Sequence, residues 1–228
     1  MKNKTQKIHT LIISDLHLGS AVSQAKKVEE MLRSKNFRKL ILLGDIFDSL
    51  DFRDLTPECW SLLHYIGELS KSRKIRWIEG NHDTGLANIF GAMLGAQVYE
   101  EYVWQYKGRK YLAIHGYQFD RFLVDNVVIS YVASALYLWI QKVDFEDKRV
   151  SRFVKRTSKG WLRLSQKVAV AAIKYGREQD VNYVLCGHTH KAQKKINKGL
   201  VYYNSGCWTD SPCTYLTIDE GDIKICEY

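Results

Sequence analysis

The stretch HTLIISDLH, residues 9–17, decides the fold, because a short apolar run ends there in an aspartate and a histidine. Such a run predicts a buried strand. Four similar runs follow along the chain: KLILLG (39–44), IRWIEG (75–80), KYLAIHG (110–116) and NYVLCG (182–187). Helical patterns at Gln24–Lys35 and Pro57–Ser72 separate the first three runs, and Thr56 before Pro57 is typical of a helix start. This alternation predicts an α/β core.

A long segment between the fourth and fifth runs lacks strand signals and carries helical patterns, from about residue 120 to about residue 176. After the fifth run, strand-like stretches return as GLVYYNSG (199–206), CTYLTID (213–219) and DIKICEY (222–228). We therefore predict one α/β domain over residues 1–228, interrupted by a helical insert at about 120–176.

The two halves of this insert differ. Residues Val127–Ile140 are apolar on nearly every side and too short to cross a bilayer, which predicts a buried helix or an apolar pocket wall. The second half is amphipathic, and at about 100° per residue its basic side chains fall within an arc of about 80°. We call these residues the basic stripe: Arg152, Arg156, Lys159, Arg163, Lys167 and Lys174.

The net charge of the chain is concentrated in the same region. The 228 residues have a formal charge of +9 and a pI near 9.2. Residues 142–177 hold 11 basic and 3 acidic side chains, so they carry nearly all of this excess. A run of charge is usually a solvated helix face, but this concentration favours a surface that binds an anion such as phosphate, nucleic acid or lipid headgroups.

Cysteine use and the length of apolar runs indicate the compartment. Five cysteines form no C-x-x-C pair, which favours reduced thiols. The start, MKNKTQKIHTLIIS, lacks the long apolar core of a signal peptide, and no stretch reaches the roughly 18 to 20 apolar residues that span a bilayer. We therefore expect a soluble cytoplasmic protein.

Residue types that bind metals follow all five predicted strands of the core. They are Asp15 and His17, then Asp45 and Asp48, then Asn81, His82 and Asp83, then His115, and finally His188 and His190. Ligands of α/β sheets bind beyond the carboxyl ends of strands, so these loops are expected to converge. One histidine after a strand is more often a hydrogen-bonded surface residue, but five such strand ends favour a shared metal site.

Five motifs carry a resemblance to a known family: DLH at 15–17, GDIFD at 44–48, GNHD at 80–83, HG at 115–116 and GHTH at 187–190. In this order they resemble the calcineurin-like metallophosphoesterase superfamily. The resemblance implies a four-layer α/β/β/α sandwich with two divalent metal ions between the sheets. One ion would be held by Asp15, His17, Asp45 and His190, and the other by Asp45, Asn81, His115 and His188.

The resemblance also implies the chemistry. Asp45 would bridge the two ions, and mixed imidazole, carboxylate and amide ligands suit Mn²⁺, with Fe, Co²⁺ or Zn²⁺ as alternatives. A metal-bound hydroxide would attack phosphorus in line with the leaving oxygen. His82 would be the general acid or electrostatic partner of that oxygen. Asp48 would orient His82, or else cap a loop. Asp83 is expected to be structural, hydrogen-bonded to its own turn.

The sequence around the motifs indicates which branch of the superfamily the chain resembles. HGYQFDRF (115–122), the helical insert and YYNSGCWTDSPCTYLTID (202–219) are similar to the branch that contains UDP-2,3-diacylglucosamine diphosphatase of lipid A biosynthesis. This implies a pyrophosphatase acting on a lipid-linked nucleotide. Residues 127–140 would receive acyl chains, and the basic stripe would face the diphosphate or an anionic membrane. Arg152, Arg156 and Arg163 are the candidate substrate-binding residues.

Two other functions stay open. The diphosphatases typically have arginine at the position of His82, so His82 and the basic stripe together favour a general phosphodiesterase or nuclease. A non-catalytic scaffold would be expected to have lost metal ligands, whereas every ligand position is filled here. We expect a phosphorylated small molecule or lipid-linked nucleotide as the partner, with nucleic acid as second choice and peripheral contact at the inner face of the membrane.

Overall fold

The computed structural model describes residues 8–49, 51–120 and 159–228. In chain order the strands are β1 (Ile8–Ile13), β2 (Phe37–Leu43), β3 (Lys74–Ile78), β4 (Gln97–Tyr99), β5 (Glu101–Tyr106), β6 (Arg109–Ile114), β7 (Tyr183–Cys186), β8 (Gln193–Asn197), β9 (Leu200–Asn204), β10 (Thr214–Asp219) and β11 (Asp222–Glu227). The α-helices are α1 (Ala25–Ser34), α2 (Pro57–Ser70), α3 (Leu86–Leu94) and α4 (Lys159–Glu178).

The strands form two sheets. The first has six strands in the order β11-β10-β1-β2-β3-β4, with β1 to β4 parallel and β10 antiparallel to β1. The second has five strands in the order β5-β6-β7-β9-β8, with β6, β7 and β9 parallel. Within each sheet, the parallel strands therefore deliver the loops that follow them to one edge.

Side chains on opposite faces of the strands contribute to different apolar layers, of which there are three among the described residues. On β1, Leu11 and Ile13 pack in the layer that includes α1, α2 and α3, whereas Ile12 packs between the two sheets. On β6, Tyr111 faces the layer between the sheets and Leu112 packs in the layer that includes α4. Successive side chains of a pleated strand point to opposite faces, so this alternation is expected for strands that are buried on both faces. The four-layer α/β/β/α sandwich is thereby confirmed.

The elements predicted around the motifs are all present, with ends that differ by a few residues. Helix α2 begins as expected, because the Thr56 side chain accepts a hydrogen bond from Cys59 N at 3.4 Å. Helix α3 and strands β4, β5 and β8 were not predicted. Strand β4 has only three residues, and β8 (QKKIN) is a polar strand at the edge of its sheet, so neither has a clear apolar period.

Helix α4 occupies the last part of the predicted insert. The apolar stretch 127–140, with Arg152 and Arg156 of the basic stripe, lies outside the described residues. The full helical insert and the single-domain organisation therefore stay predictions. Among the helices in the described ranges, none combines the length and apolarity needed to cross a membrane.

Candidate metal centre

The loops that follow β1, β2, β6 and β7 are joined by backbone hydrogen bonds at the predicted site. Asp15 N donates to Gly44 O at 3.0 Å, and Gly187 N donates to His115 O at 3.0 Å. One contact crosses from the second sheet to the first, because His188 N donates to both carboxylate oxygens of Asp15 at 3.1 Å. The convergence expected from the strand ends is therefore present in the structure.

The backbone is strained where the site forms. In the described part of the chain, nine non-glycine residues have a positive φ, and five of these are predicted metal ligands: Asp15, His17, Asp45, His188 and His190. A non-glycine residue in this region costs about 1–3 kcal/mol, and such residues cluster at functional sites. The surrounding fold therefore holds these side chains in orientations that the local chain would not choose.

Two glycines permit the close approach of the loops. A Cβ at Gly80 would lie 2.2 Å from Asp45 N and 2.2 Å from Asp45 Oδ1. A Cβ at Gly187 would lie 2.5 Å from Asp15 Oδ2. Both distances are far below any van der Waals contact, so only glycine lets the loops after β3 and β7 pack against these carboxylates.

The first cluster consists of Asp15, His17 and His190, whose ligand atoms all lie within 4.8 Å of one another. His190 Nε2 is 3.2 Å from Asp15 Oδ1 and 3.2 Å from His17 Nε2. Two imidazole nitrogens and one carboxylate oxygen thus point at a common position. These are the ligands predicted for one ion, apart from Asp45, whose Oδ2 lies 3.9 Å from His17 Nε2.

The second cluster consists of Asp45, His115 and His188 and is buried throughout. Asp45 Oδ2 is 3.2 Å from His115 Nε2. His188 Nε2 lies 3.3 Å from Asp120 Oδ2, and Asp120 is 3% exposed. Since Asp45 also approaches His17 of the first cluster, its carboxylate lies between the two groups of ligands.

Three of the four histidines in the two clusters present Nε2 to the site because their Nδ1 has a partner. His17 Nδ1 donates to Asp48 Oδ1 at 2.9 Å, and His115 Nδ1 donates to Leu43 O at 2.8 Å. His190 Nδ1 lies 3.4 Å from the Thr209 hydroxyl. Such outer hydrogen bonds fix the tautomer and the ring orientation of histidines that bind metals.

Two buried atoms test whether the residues fit a metal. Within the described ranges, neither His115 Nε2 nor Asn81 Oδ1 has a hydrogen-bond partner, although both are shielded from solvent. His115 Nε2 lies 3.2 Å from Asp45 Oδ2, an electrostatic contact between two members of the second cluster. Buried polar atoms without partners cost free energy unless a ligand satisfies them. Imidazole, amide and carboxylate donors therefore fit a divalent transition ion here.

The geometry shows how Asp48 contacts the two neighbouring histidines. His82 Nδ1 donates to the Asp48 backbone carbonyl at 2.6 Å. The Asp48 carboxylate accepts from His17 Nδ1. The ligand atoms of these three residues nevertheless form a third cluster within 4.8 Å. Asp48 therefore supports a predicted ligand through its side chain and the predicted general acid through its backbone.

Electrostatics in the metal-free site follow from burial and close charge pairs. Burial opposes ionisation of Asp45, but the charge of His115 outweighs it and holds the pKa of that carboxyl well below its usual range. Burial lowers the pKa of His115, but the charge of Asp45 raises it to about 10. Burial likewise lowers the pKa of His17, and the hydrogen bond to Asp48 raises it overall. Each of these pKa shifts is therefore set by an oppositely charged neighbour within the site.

Asp83 is fully buried and joins two loops. Its carboxylate accepts from Ile46 N and Phe47 N at 3.0 Å, from Trp77 Nε1 at 3.3 Å and from Gly80 N at 3.4 Å. Burial and the nearby Asp45 charge raise the pKa of Asp83 to about 6, against these hydrogen bonds. Asp83 is therefore structural, as expected, and it bonds its own turn through Gly80 N, although its shortest hydrogen bonds come from the loop after β2.

Two residues beside the centre, Asp120 and Trp161, were not predicted from the sequence. Asp120 follows the 3-10 turn Tyr117–Phe119, which returns the chain towards His188, and the sequence carried no signal for that return. Trp161 of α4 places its ring 6.2 Å from the His190 ring. Arg163 is exposed on α4. Its role in substrate binding stays a prediction.

The sequence matches a model of the calcineurin-like phosphoesterase superfamily domain over residues 8–222. It is also similar to proteins named UDP-2,3-diacylglucosamine hydrolase from two strains of Coxiella burnetii. The identity is 24% over 207 residues, covering 80% of this chain and 81% of each relative.

Two solved structures are similar in fold. An archaeal phosphodiesterase superposes with a TM-score of 0.50 at 14% identity, covering 96% of this chain and 99% of the other. YfcE, a phosphoesterase from E. coli, superposes with a TM-score of 0.52 at 13% identity, covering 95% of this chain and 97% of the other. At these identities the likeness concerns the fold alone.

Proposed function

Because the chain belongs to the calcineurin-like phosphoesterase superfamily, we propose that it is a metal-dependent hydrolase with two divalent ions. Its substrate is a phosphoester or pyrophosphate, and the proposed class is a lipid-linked nucleotide like UDP-2,3-diacylglucosamine. The similarity to the Coxiella burnetii hydrolases over 80% of the chain supports this choice. A cytoplasmic location, with peripheral contact at an anionic membrane, is part of the same proposal.

One observation carries the proposal: the ligand atoms of the two clusters converge, and His115 Nε2 of the second cluster is buried without a hydrogen-bond partner among the described residues. Asn81 Oδ1, the proposed amide ligand, is a second buried atom without such a partner among these residues. A structural role alone would leave these polar atoms buried at a cost of about 1–3 kcal/mol each. Ion binding satisfies them.

The donor set divides between two ions as the motifs suggest. Asp15, His17 and His190 would hold one ion. Asn81, His115 and His188 would hold the other, and Asp45 would contact both. The ligands suit Mn²⁺, with Fe, Co²⁺ or Zn²⁺ as alternatives. When bound, two such ions lower the pKa of water and polarise phosphoryl oxygens.

His82 would then donate a proton to the leaving oxygen. Its Nδ1 is engaged by the Asp48 carbonyl at 2.6 Å, so Nε2 is the nitrogen that remains for proton transfer. Its ring lies edge-on to the His17 ring, with 4.9 Å between the ring centroids, which keeps it beside the first cluster. We propose that the protonated His82 donates from Nε2 to the leaving oxygen.

The second candidate is a phosphodiesterase or nuclease that uses the same centre. Two observations favour it: His82 beside the ligands and the exposed basic residues Arg163, Lys167 and Lys174 of α4. A nucleic-acid substrate would bind with steep salt dependence through such a face. A lipid-linked nucleotide would depend instead on detergent and acyl length.

A substrate panel with Mn²⁺-loaded protein tests the proposal. It contains UDP-2,3-diacylglucosamine, UDP-sugars, cyclic nucleotides, single-stranded DNA and bis(p-nitrophenyl) phosphate, with Asp45→Ala as the inactive control. We expect the diacylated nucleotide to give the highest kcat/KM, with UMP as a product. Preference for DNA, with salt sensitivity, would select the second candidate. No turnover of any substrate with Mn²⁺, Fe²⁺, Co²⁺ or Zn²⁺ would contradict both.

A further inference from the structure

Asn204 is the last residue of β9, and its side chain is fully shielded from solvent. Its backbone pairs with Cys186, the last residue of β7, so the two strands end together beside the loop that carries His188 and His190. A buried amide needs hydrogen-bond partners inside the fold, because bulk water cannot supply them. None of the predicted functions assigns a role to this side chain.

The orientation of the Asn204 amide follows from its partners. Oδ1 accepts from Gly206 N at 2.9 Å, and a backbone N–H can only donate, so Nδ2 is the atom that points towards the loop after β7. Nδ2 donates to Gly187 O and, at 3.1 Å, to the Thr189 hydroxyl. Thr189 N also donates to Gly187 O at 2.7 Å. The amide therefore holds a tight turn on both sides of His188.

This turn has a backbone conformation that the local chain would not choose. His188 has a φ of 66° and His190 a φ of 52°, one on each side of Thr189. Non-glycine residues keep such torsions only where the surrounding structure holds them. Because the direction of each imidazole depends on these torsions, a side chain that anchors Gly187 and Thr189 also determines where the two histidines point.

The residue after Asn204 connects the same turn to the first sheet. Ser205 N donates to Cys186 O at 2.9 Å, and the Ser205 hydroxyl lies 2.6 Å from the hydroxyl of Ser14, the residue before Asp15. Both serines are fully buried. A buried polar network whose members all have partners favours one arrangement over its alternatives. The loops after β1 and β7 are thus bonded to one buried segment.

We propose that Asn204 is a positioning residue of the metal centre. Its amide holds the turn from Gly187 to Thr189 in the conformation that directs His188 and His190 at the ions. Asn204 acts through these histidines and is not itself a ligand. This inference rests on the proposed function in one respect, that the two histidines bind metal. A side chain of similar shape without the N–H donor should leave the histidines poorly placed.

The test is Asn204→Leu, which roughly keeps the shape of the side chain and removes its hydrogen bonds. A Mn²⁺ titration of chelator-treated protein should show binding weakened about 10-fold, the lower end of the range for residues that orient ligands. Asn182→Leu is the matched control. Asn182 lies just before β7, at the opposite end of that strand, where its Oδ1 accepts from Lys110 N at 2.7 Å. This control also loses a contact with the backbone, but it should keep the wild-type affinity.

A second readout does not need metal. In NMR spectra of the metal-free protein, Asn204→Leu should shift the ring resonances of His188 and His190. Those of His9, at the start of β1, and His64, on α2, should stay in place. Such a shift in a protein that takes up no metal would support the positioning and contradict the proposed function. Wild-type Mn²⁺ affinity and unmoved resonances in an active Asn204→Leu enzyme would overturn the positioning and leave the proposed function standing.

A gentler variant guards against misfolding. If circular dichroism shows that Asn204→Leu is unfolded, Thr189→Val decides, because it keeps the shape and removes only the hydroxyl that Asn204 bonds at 3.1 Å. It should weaken Mn²⁺ binding about 2- to 10-fold, as expected for one hydrogen bond. Wild-type affinity of this variant would then overturn the positioning. Equal losses of affinity in Asn204→Leu and Asn182→Leu would overturn it as well, since their common cause would be general destabilisation.

Discussion

Replacing Asp48 with alanine removes the carboxylate that accepts from His17 Nδ1 but keeps the backbone carbonyl that accepts from His82 Nδ1. The lost hydrogen bond is 2.9 Å long, and its two side chains are only 10% and 20% exposed. A hydrogen bond to a charged group contributes about 1.5–3 kcal/mol. Loss of such an outer partner weakens metal binding about 10- to 100-fold. We expect a loss of this size for Asp48→Ala and an intermediate loss for Asp48→Asn, which keeps a neutral acceptor.

The assay is a Mn²⁺ titration of chelator-treated protein, with bound metal measured by elemental analysis after dialysis. Turnover of bis(p-nitrophenyl) phosphate is followed over the same Mn²⁺ range. At saturating Mn²⁺ the kcat of Asp48→Ala should stay near the wild-type value, because the partner of His82 is intact. Asp51→Asn is the matched control, because the Asp51 side chain is 39% exposed and pairs with Arg53.

The opposite pattern would refute this reasoning. If Asp48→Ala bound Mn²⁺ as tightly as the wild-type protein and lost most of its kcat at saturating metal, the carboxylate would act on His82 and not on His17. Asp48 would then orient His82 through its side chain and not only through its backbone carbonyl.

Other changes have equally direct outcomes. His82→Ala should keep both metals and slow hydrolysis by about 10²–10⁴-fold, and full activity on every substrate would exclude its role. Gly80→Ala should lower the melting temperature and the metal content, because the new Cβ would lie 2.2 Å from Asp45 Oδ1, whereas Gly67→Ala, with its nearest contact at 3.7 Å, should do neither. The pH should also matter. The pKa of His115 is raised to about 10 without metal. The protonated His115 therefore stabilises the folded state fully below pH 6.5, the pKa of histidine in the unfolded chain, and this stabilisation is lost as the pH rises towards 10. Metal needs the neutral imidazole, so calorimetry should find that Mn²⁺ raises Tm more at about pH 9 than at about pH 6.

The sequence was sufficient to predict which side chains come together at the centre, because the strands that carry them can be recognised locally. Asp15, His17 and His115 directly follow short apolar runs, and parallel strands bring such positions together whatever the details of the loops. Strand β5 was not predicted, although its sequence has the pattern of a strand: Tyr102, Trp104 and Tyr106 alternate with polar or exposed residues and pack between the sheets.

The two contacts of Asp48, through its carboxylate with His17 and through its carbonyl with His82, could not be predicted in the same way. Which of its atoms meets His17 and which meets His82 depends on backbone torsions of the loop, and His17 has the strained φ of 44°. The approach of Asp120 to His188 depends on a single 3-10 turn. The Trp161–His190 contact depends on where α4 packs, which no periodic pattern specifies.

Metal stoichiometry tests the central claim most directly. Elemental analysis of protein purified without chelators, and then titrated with Mn²⁺, should find two ions per chain, as expected for a two-metal site. His115→Ala should lose at least one of them, together with all turnover. A wild-type protein that carries no transition ion and takes up none of Mn²⁺, Fe²⁺, Co²⁺ or Zn²⁺ would contradict the assignment of these side chains as a metal centre.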